Sequence, residues 1–289
     1  MSYFALAALE LALLGLLSGA AGTLIVLRRR SFFAVALSHA TFPGGVVFAI
    51  AGWNLLIGQA LFAGLLVVLM TLLSRLPGQG RQVASGVVLS FGFALGTLLA
   101  SLNPGLGIPV EALLVGSPLG VAPSDVATTA IVLVAVVAVL APSARRILFH
   151  TFDPVGFAAA GFRTWPVELI VTGVIAASVV VAMPAVGVIL GVAVLIAPAA
   201  AARVLAPSVV WIPPIAALIG VGGGLAGLWA SREFSIAAGG SVGLAVTACF
   251  LLALAFDGAR RALRRRGGRG ARRSPAADSL KSQGFATVE

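Results

Sequence analysis

Long runs of apolar residues dominate this chain, and the charged residues lie mostly in the short gaps between them. A run of about 20 apolar residues is the length at which an α-helix crosses the hydrocarbon core of a bilayer. Helices suit that environment because they satisfy every backbone polar group within the segment. The pattern therefore predicts an all-α polytopic membrane protein. Nine spans are predicted, at about 5–27, 34–52, 55–73, 84–101, 125–142, 167–184, 186–204, 209–230 and 237–257.

Composition supports a membrane protein and argues against a soluble domain. Of the 289 residues, 60% are hydrophobic and 10% are charged, whereas soluble domains carry about 25% charged residues. The 35 glycines suit close packing between membrane helices. Two places would lower the span count to eight if either formed a re-entrant or broken helix. They are the sequence Pro43-Gly44-Gly45 in the second segment and the short join at Pro184.

The arginines are unevenly shared between alternate loops. If the C-terminus is cytoplasmic, one set of loops contains nearly all of them, and Arg232 alone falls on the other side. Positive residues accumulate in cytoplasmic loops, so we predict a multi-pass protein of the plasma membrane with its N-terminus outside and its C-terminus in the cytoplasm. The arginines predicted to be inside are those at 28–30, 75, 81, 145, 146, 163 and 203.

The end of the sequence has a different composition. Residues 259–289 are rich in Arg, Gly, Ser and Ala and have no apolar periodicity, which predicts a disordered basic tail after a membrane domain at 1–258. The formal net charge is +10, and much of the excess lies at 260–273, next to the last span. Arginines at that position favour contact with anionic membrane lipid. They do not indicate nucleic-acid binding.

His39 is a polar residue inside the second apolar segment. A neutral imidazole can bind zinc, manganese or iron and can also carry protons. The Pro43-Gly44-Gly45 sequence that follows would free backbone carbonyl groups, which transport sites often use. Pro43 is therefore a candidate kink or gate. The alternative interpretation of His39 is a hydrogen bond to a neighbouring helix.

The longest predicted cytoplasmic connection contains a short helix. Asp153 is suited to cap its start and Pro154 to occupy its first turn, and Gly161 is suited to end it. The expected helix has about two turns, with Phe157 exposed to the cytoplasm or to a partner. A partner protein and the lipid surface are both acceptable contacts for such a helix.

Pro198 lies in the seventh predicted span. Because proline cannot donate a backbone hydrogen bond, we expect a kink there, which would suit a gate or a purely structural bend. The sequence contains no phosphate loop and no His-Glu-x-x-His motif. Cys249 is the only cysteine, so neither an internal disulfide nor a cysteine metal cluster can form. Because it has no ATP-binding or catalytic motif, the chain is not expected to be an enzyme.

Three segments together resemble the permease subunit of the zinc/manganese/iron-type ATP-binding-cassette importers. The first is 28–40 followed by Pro43-Gly44, similar to the family's arginine pair, Ser-His-Ala and Pro-Gly. The second is 153–161, similar to Asp-Pro-x-x-Ala-x-x-x-Gly. The third is 186–202, similar to Val-Gly-x-x-Leu-x-x-x-Leu-Leu-x-x-Pro-Ala-x-x-Ala. The resemblance also covers 113–117 and 227–241, and it spans roughly 10–257 in order.

The resemblance implies a division of labour between several proteins. Two permease subunits, expected to be identical, would form the pathway, and a solute-binding protein would deliver the metal from outside. A cytoplasmic ATPase would bind and hydrolyse ATP, so this chain itself is expected to bind no cofactor. The ATPase would dock on the coupling helix, formed here by Asp153, Pro154, Phe157 and Gly161. His39 would contact the metal transiently.

The chain departs from the family pattern where acidic residues are usual. Val35, Gln82 and Ser235 stand at those positions, and Glu111 and Glu233 are the acids left near the predicted outer side. Hard cations prefer carboxylates, so a metal chelate is an alternative cargo. A stand-alone secondary transporter and a membrane enzyme are further alternatives. A secondary transporter would need several acidic residues inside the spans, whereas Glu10 and Glu168 lie near span ends. A membrane enzyme would need a cluster of catalytic residues.

Overall fold

The computed structural model describes residues 2–73, 81–104 and 118–271. In these ranges the chain forms nine helices that are long and apolar enough to cross a membrane, which confirms the predicted all-α polytopic fold. A tenth, short helix, α6, lies between α5 and α7. The helices are α1 (Tyr3–Leu27), α2 (Ser31–Ile50), α3 (Leu55–Leu73), α4 (Gln82–Ser101), α5 (Pro123–Phe152), α6 (Pro154–Ala159), α7 (Thr164–Met183), α8 (Val186–Leu205), α9 (Val209–Phe234) and α10 (Ala238–Ala271).

Helix α5 is longer than the apolar pattern predicts. The predicted span ends at 142, but the helix continues through Pro142 to Phe152. Arg145 and Arg146 therefore lie on a helix and not in a loop. Arginine, leucine and alanine form helices readily, and helices in membrane proteins tolerate an internal proline. The extension carries the chain beyond the apolar segment and brings α6 to its end.

The second span is interrupted, as predicted, but slightly earlier than expected. The break is at Thr41, between the helical segments Ser31–Ala40 and Phe42–Ile50. Pro43 then occupies the first turn of the second segment, where a missing backbone N–H costs nothing. The Thr41 hydroxyl donates a hydrogen bond to the Ser38 carbonyl oxygen, 3.1 Å away. Both segments belong to one span, so this break does not reduce the count.

The join between α7 and α8 is a tight turn between two full spans. Gly187 has φ 78° and ψ 171°, in the left-handed region that glycine occupies without strain. A Cβ atom at Gly191 would lie 3.4 Å from the Ala182 Cβ atom, whereas the same two residues would be roughly 13 Å apart along a continuous helix. The chain therefore folds back on itself at Gly187, and the span count remains nine over the described residues.

Small residues bring the central helices together. A Cβ atom at Gly220 of α9 would lie 2.9 Å from the Gly15 Cα atom of α1, so these two backbones are nearly in contact. Helix α1 also contains a π-helical turn, Ser18–Gly22. Within it the Ser18 hydroxyl donates to the Leu195 carbonyl oxygen of α8 at 2.8 Å. The close packing expected from the glycine content is present at these sites.

Helix α10 extends past the predicted end of the membrane domain. It continues to Ala271, so residues 259–271 of the expected tail are helical and not irregular. Alanine, leucine and arginine favour a helix once the last span has nucleated one. Residues 272–289 lie outside the described part of the chain.

Candidate functional site

Helix α6 begins and ends at the residues predicted from the sequence. Asp153 precedes it, and its Oδ1 atom accepts a hydrogen bond from the Gly156 backbone N–H at 2.7 Å. Pro154 occupies the first helical position. Gly161 follows the helix with φ 80°, the left-handed conformation that commonly ends helices. The local sequence therefore fixes both ends of α6.

The prediction that Phe157 is exposed is wrong, because its side chain is only 1% exposed. Its ring centroid lies 5.4 Å from that of Phe149, 5.1 Å from that of His150 and 5.1 Å from that of Phe162. A helix this short is unstable alone, so it buries its largest apolar residue against α5. The outward surface is formed by Val155, which is 79% exposed, together with exposed parts of Phe152 and Phe162.

Charged and polar side chains lie directly beside this aromatic group. Glu168 Oε1 accepts from Arg28 Nη1 at 3.0 Å, and Glu168 Oε2 accepts from Arg30 Nη2. Arg28 Nη2 lies 2.9 Å from His150 Nδ1, and Arg30 Nη1 donates to the Thr172 hydroxyl at 2.8 Å. We call Arg28, Arg30, His150, Glu168 and Thr172 the ion-pair cluster.

The ion-pair cluster joins the α1–α2 connection, the end of α5 and the start of α7. The side chains of Arg28 and His150 are 7% and 8% exposed, and a charge buried as deeply as that of Arg28 is stable only when it is paired. A partial signal for this cluster is present in the sequence, because arginines and a glutamate occur at the ends of spans predicted to lie on the same side. Nothing in the sequence singled out His150.

A cavity of about 480 Å³ lies against the ion-pair cluster. Gln82, which occupies one of the positions where the resemblance expects an acid, lines its wall together with Trp165. Arg28, Arg29 and Arg30 also line it, against the single carboxylate of Glu168. This wall is positively charged, so it disfavours a free divalent cation.

His39 lies half-buried on the first segment of α2. Its Nδ1 atom is 3.0 Å from the Val35 carbonyl oxygen and 3.3 Å from the Ser38 hydroxyl. Because a carbonyl oxygen only accepts hydrogen bonds, this contact requires the proton on Nδ1. In the neutral imidazole Nε2 then keeps the lone pair that a metal ion would bind. The ring also meets Phe93 edge-on, with centroids 6.1 Å apart.

His39 is not part of a larger metal-ligating group within the described residues. Within residues 2–73, 81–104 and 118–271 there is no group of three or more His, Cys, Asp or Glu side chains that could hold a metal ion. Ser235 ends α9 in the left-handed conformation, with φ 51°, and Glu233 is exposed. Glu111, Arg75 and the segment 113–117 lie outside the described residues.

Glu10 is a buried carboxyl group that the sequence placed only near a span end. It is 1% exposed, and its Oε1 atom accepts a hydrogen bond from the Thr129 hydroxyl at 2.7 Å. This contact links α1 to α5. The hydrogen bond holds Glu10 in the packing between these two helices.

The two candidate kink residues lie in different settings. Pro43 directly follows the break in α2. Pro198 lies inside helical backbone in α8, and the dihedral angles leave the helical region at Gly187 instead. A bend or gate at Pro198 stays a prediction.

Over the described residues the chain forms a bundle of nine apolar spans with the capped short helix α6 held at the end of α5, the architecture of a polytopic membrane protein. The chain matches the model of the ABC 3 transport family over residues 1–257 and belongs to that family. The family expected from the sequence resemblance is therefore confirmed.

Two named relatives and one solved structure are similar to this chain along most of their length. The "Manganese transport system membrane protein MntC" of Listeria monocytogenes is 32% identical over 84% of this chain and 86% of its own. The "Zinc transport system membrane protein TroC" of Treponema pallidum is 34% identical over 76% of this chain and 77% of its own. The structure "PsaBC from Streptococcus pneumoniae in complex with Fab" is 28% identical with a TM-score of 0.75, covering 88% and 91% of the two chains.

Proposed function

We propose that this chain is the membrane-spanning permease subunit of an ATP-driven importer of divalent metal ions, which are manganese, zinc or iron. The observation that carries the proposal is the family match over residues 1–257, which covers the first eight spans found in the described residues and most of the ninth. The manganese and zinc transport names of relatives at 32% and 34% identity support this class of cargo.

The proposal assigns ATP hydrolysis to a separate subunit. That ATPase docks on α6 through Val155 and the exposed parts of Phe152 and Phe162. Asp153, Pro154 and Gly161 hold the shape of the docking helix, and Phe157 anchors it to α5 from the inside. A second permease copy and an extracytoplasmic solute-binding protein complete the transporter, with α6 and the C-terminus in the cytoplasm.

His39 is proposed to contact the metal transiently as it passes. The hydrogen bond from Nδ1 to the Val35 carbonyl would fix the ring and leave Nε2 as the ligand atom. One imidazole binds a cation weakly, because stable sites in proteins use several ligands. Weak binding suits a pathway that must release its cargo.

Cellular metal content tests both the cargo and His39. A deletion strain is compared with strains that express the wild type, His39→Ala or His39→Asn, under manganese, zinc and iron limitation. We expect the wild type to restore one metal selectively. Both variants should lower its uptake, by roughly tenfold if one ligand to a metal is lost.

His39→Asn is the matched control, because an amide can replace the Nδ1 donor to Val35 but not the Nε2 ligand. Normal uptake in His39→Asn would show that only the backbone hydrogen bond matters. No change in any metal on deletion, with the protein verified in the membrane, would contradict the free-metal proposal and favour the chelate.

A further inference from the structure

We propose that the ion-pair cluster is the mechanical connection between the ATPase-docking helix and the helix that carries His39. The inference rests on the proposed function and assigns positioning roles to Arg28, His150 and Glu168. These residues contact no metal and no ATPase in this assignment. They relay the displacement of α6 to α2 and α7.

The first step of the connection is aromatic. Phe157 is the buried anchor of α6, and its ring packs edge-on against His150, with centroids 5.1 Å apart. Phe149 and Phe162 close the remaining sides of the Phe157 ring. A tightly packed ring cannot move without displacing its neighbours, so a push on α6 acts directly on His150.

The second step is polar and crosses to other helices. His150 Nδ1 lies 2.9 Å from Arg28 Nη2, and Arg28 Nη1 donates to Glu168 at 3.0 Å. Glu168 binds both arginines, so the start of α7 and the α1–α2 connection are held together. Because these side chains are largely buried, separating them would cost their pairing energy, and moving together is the cheaper response.

The third step leads to His39 along one stretch of helix. Arg30 directly precedes the helical segment Ser31–Ala40, and its carbonyl oxygen accepts from the Ala34 N–H at 3.0 Å. His39 lies on that same segment, roughly 13 Å further along the axis. The segment ends at the Thr41 break, so it can tilt without carrying the remainder of α2 with it.

The variants separate the relay from folding. His150→Phe keeps an aromatic ring against Phe157 but cannot accept from Arg28. His150→Asn places an amide oxygen near the Nδ1 position and keeps that acceptor. Glu168→Gln removes the charge that holds both arginines. Arg146→Gln is the matched control, because Arg146 is an exposed charge on the same end of α5.

The first measurement is metal uptake per ATP hydrolysed, in proteoliposomes that contain the permease with its ATPase. We expect His150→Phe and Glu168→Gln to lower this ratio roughly tenfold while ATPase still co-purifies. Arg146→Gln should match the wild type, and His150→Asn should recover part of the ratio. An unchanged ratio in His150→Phe would overturn the proposal, and so would loss of ATPase binding, which would show that the cluster only shapes the docking surface.

The second measurement does not depend on the cargo. In a Cys249→Ala background, His39→Cys is modified with a thiol reagent in the presence and absence of ATP. We expect ATP to change the modification rate several-fold, and His150→Phe to abolish that change. If ATP has no effect at position 39, or an equal effect in His150→Phe, the relay is wrong. If the wild type takes up no metal but the thiol result holds, the cargo assignment fails and the relay stands. If Glu168→Gln does not assemble, His150→Phe and His150→Asn decide the result.

Discussion

At the scale of single residues, the smallest side chains set how closely the central helices approach. Gly220 faces the backbone of α1 at Gly15, while Gly222, two positions further along the same helix, faces open space. The sequence shows four nearby glycines without distinguishing them. Position in the bundle makes Gly220, Gly223 and Gly224 contact residues and leaves Gly222 open.

We predict that Gly220→Ala destabilises the protein, because the added methyl group would lie 2.9 Å from the Gly15 Cα atom. Overpacking of this kind costs about 1–3 kcal/mol. The measurement is the thermal unfolding midpoint of the purified protein in detergent. Gly222→Ala is the control and should be neutral or slightly stabilising, because alanine is the better helix former. Equal midpoints for the two variants would contradict the observed packing.

At the scale of elements, α6 shows how a short helix is held in place. Its cap, its first proline and its terminal glycine are local and could be recognised from the sequence. Its orientation is set by Phe157, which packs under the helix and not on its outer surface. This is why the exposed outer surface around α6, the surface proposed for ATPase docking, consists of Val155, Phe152 and Phe162.

We predict that Asp153→Ala weakens retention of the ATPase. Loss of a helix cap costs about 0.5–2 kcal/mol, enough to fray a helix of this length. Co-purification of the ATPase with the tagged permease measures the effect, and Asp153→Asn should largely restore it, because asparagine also caps helices.

Asp125 provides the control for this experiment. It lies at the opposite end of α5, and its Oδ2 atom accepts from the Ala122 N–H at 2.9 Å. Asp125→Ala should leave ATPase retention unchanged. Equal loss in Asp125→Ala and Asp153→Ala would mean that general destabilisation, and not the shape of α6, explains the result.

At the scale of the whole molecule, the nine spans found in the described residues predict that the two termini lie on opposite sides of the membrane. The charge pattern predicts α6, the ion-pair cluster and the C-terminus on the cytoplasmic side. The ion-pair cluster fits this orientation, because Arg28 and Arg30 pair with Glu168 at one end of the bundle. That is the end at which α6 lies.

We predict that alkaline phosphatase is inactive when fused after residue 271 and active when fused after residue 236. The enzyme folds only where disulfides form, outside the cytoplasm, and the α9–α10 loop is predicted to lie outside. Phosphatase activity in intact cells, with fusion levels matched by immunoblot, is the measurement. The reverse pattern would invert the orientation and remove α6 from contact with an ATPase.

The sequence by itself determined the fold class, the approximate positions of the spans and the ends of α6. These features depend on local properties: the length of apolar runs, the charges between them, and residues such as Asp153 and Gly161 that act on their immediate neighbours. Each can be read without knowing what lies across the bundle.

Only the tertiary structure decided which side chains meet. The burial of Phe157, the turn at Gly187 and the joining of His150 to Arg28 and Glu168 depend on contacts between segments far apart in the chain. Apolar runs show that a helix is buried in a membrane, but they carry no periodic signal for the face that meets another helix. Packing between helices supplies that information, and it places the ion-pair cluster beside α6, where His150 contacts Phe157.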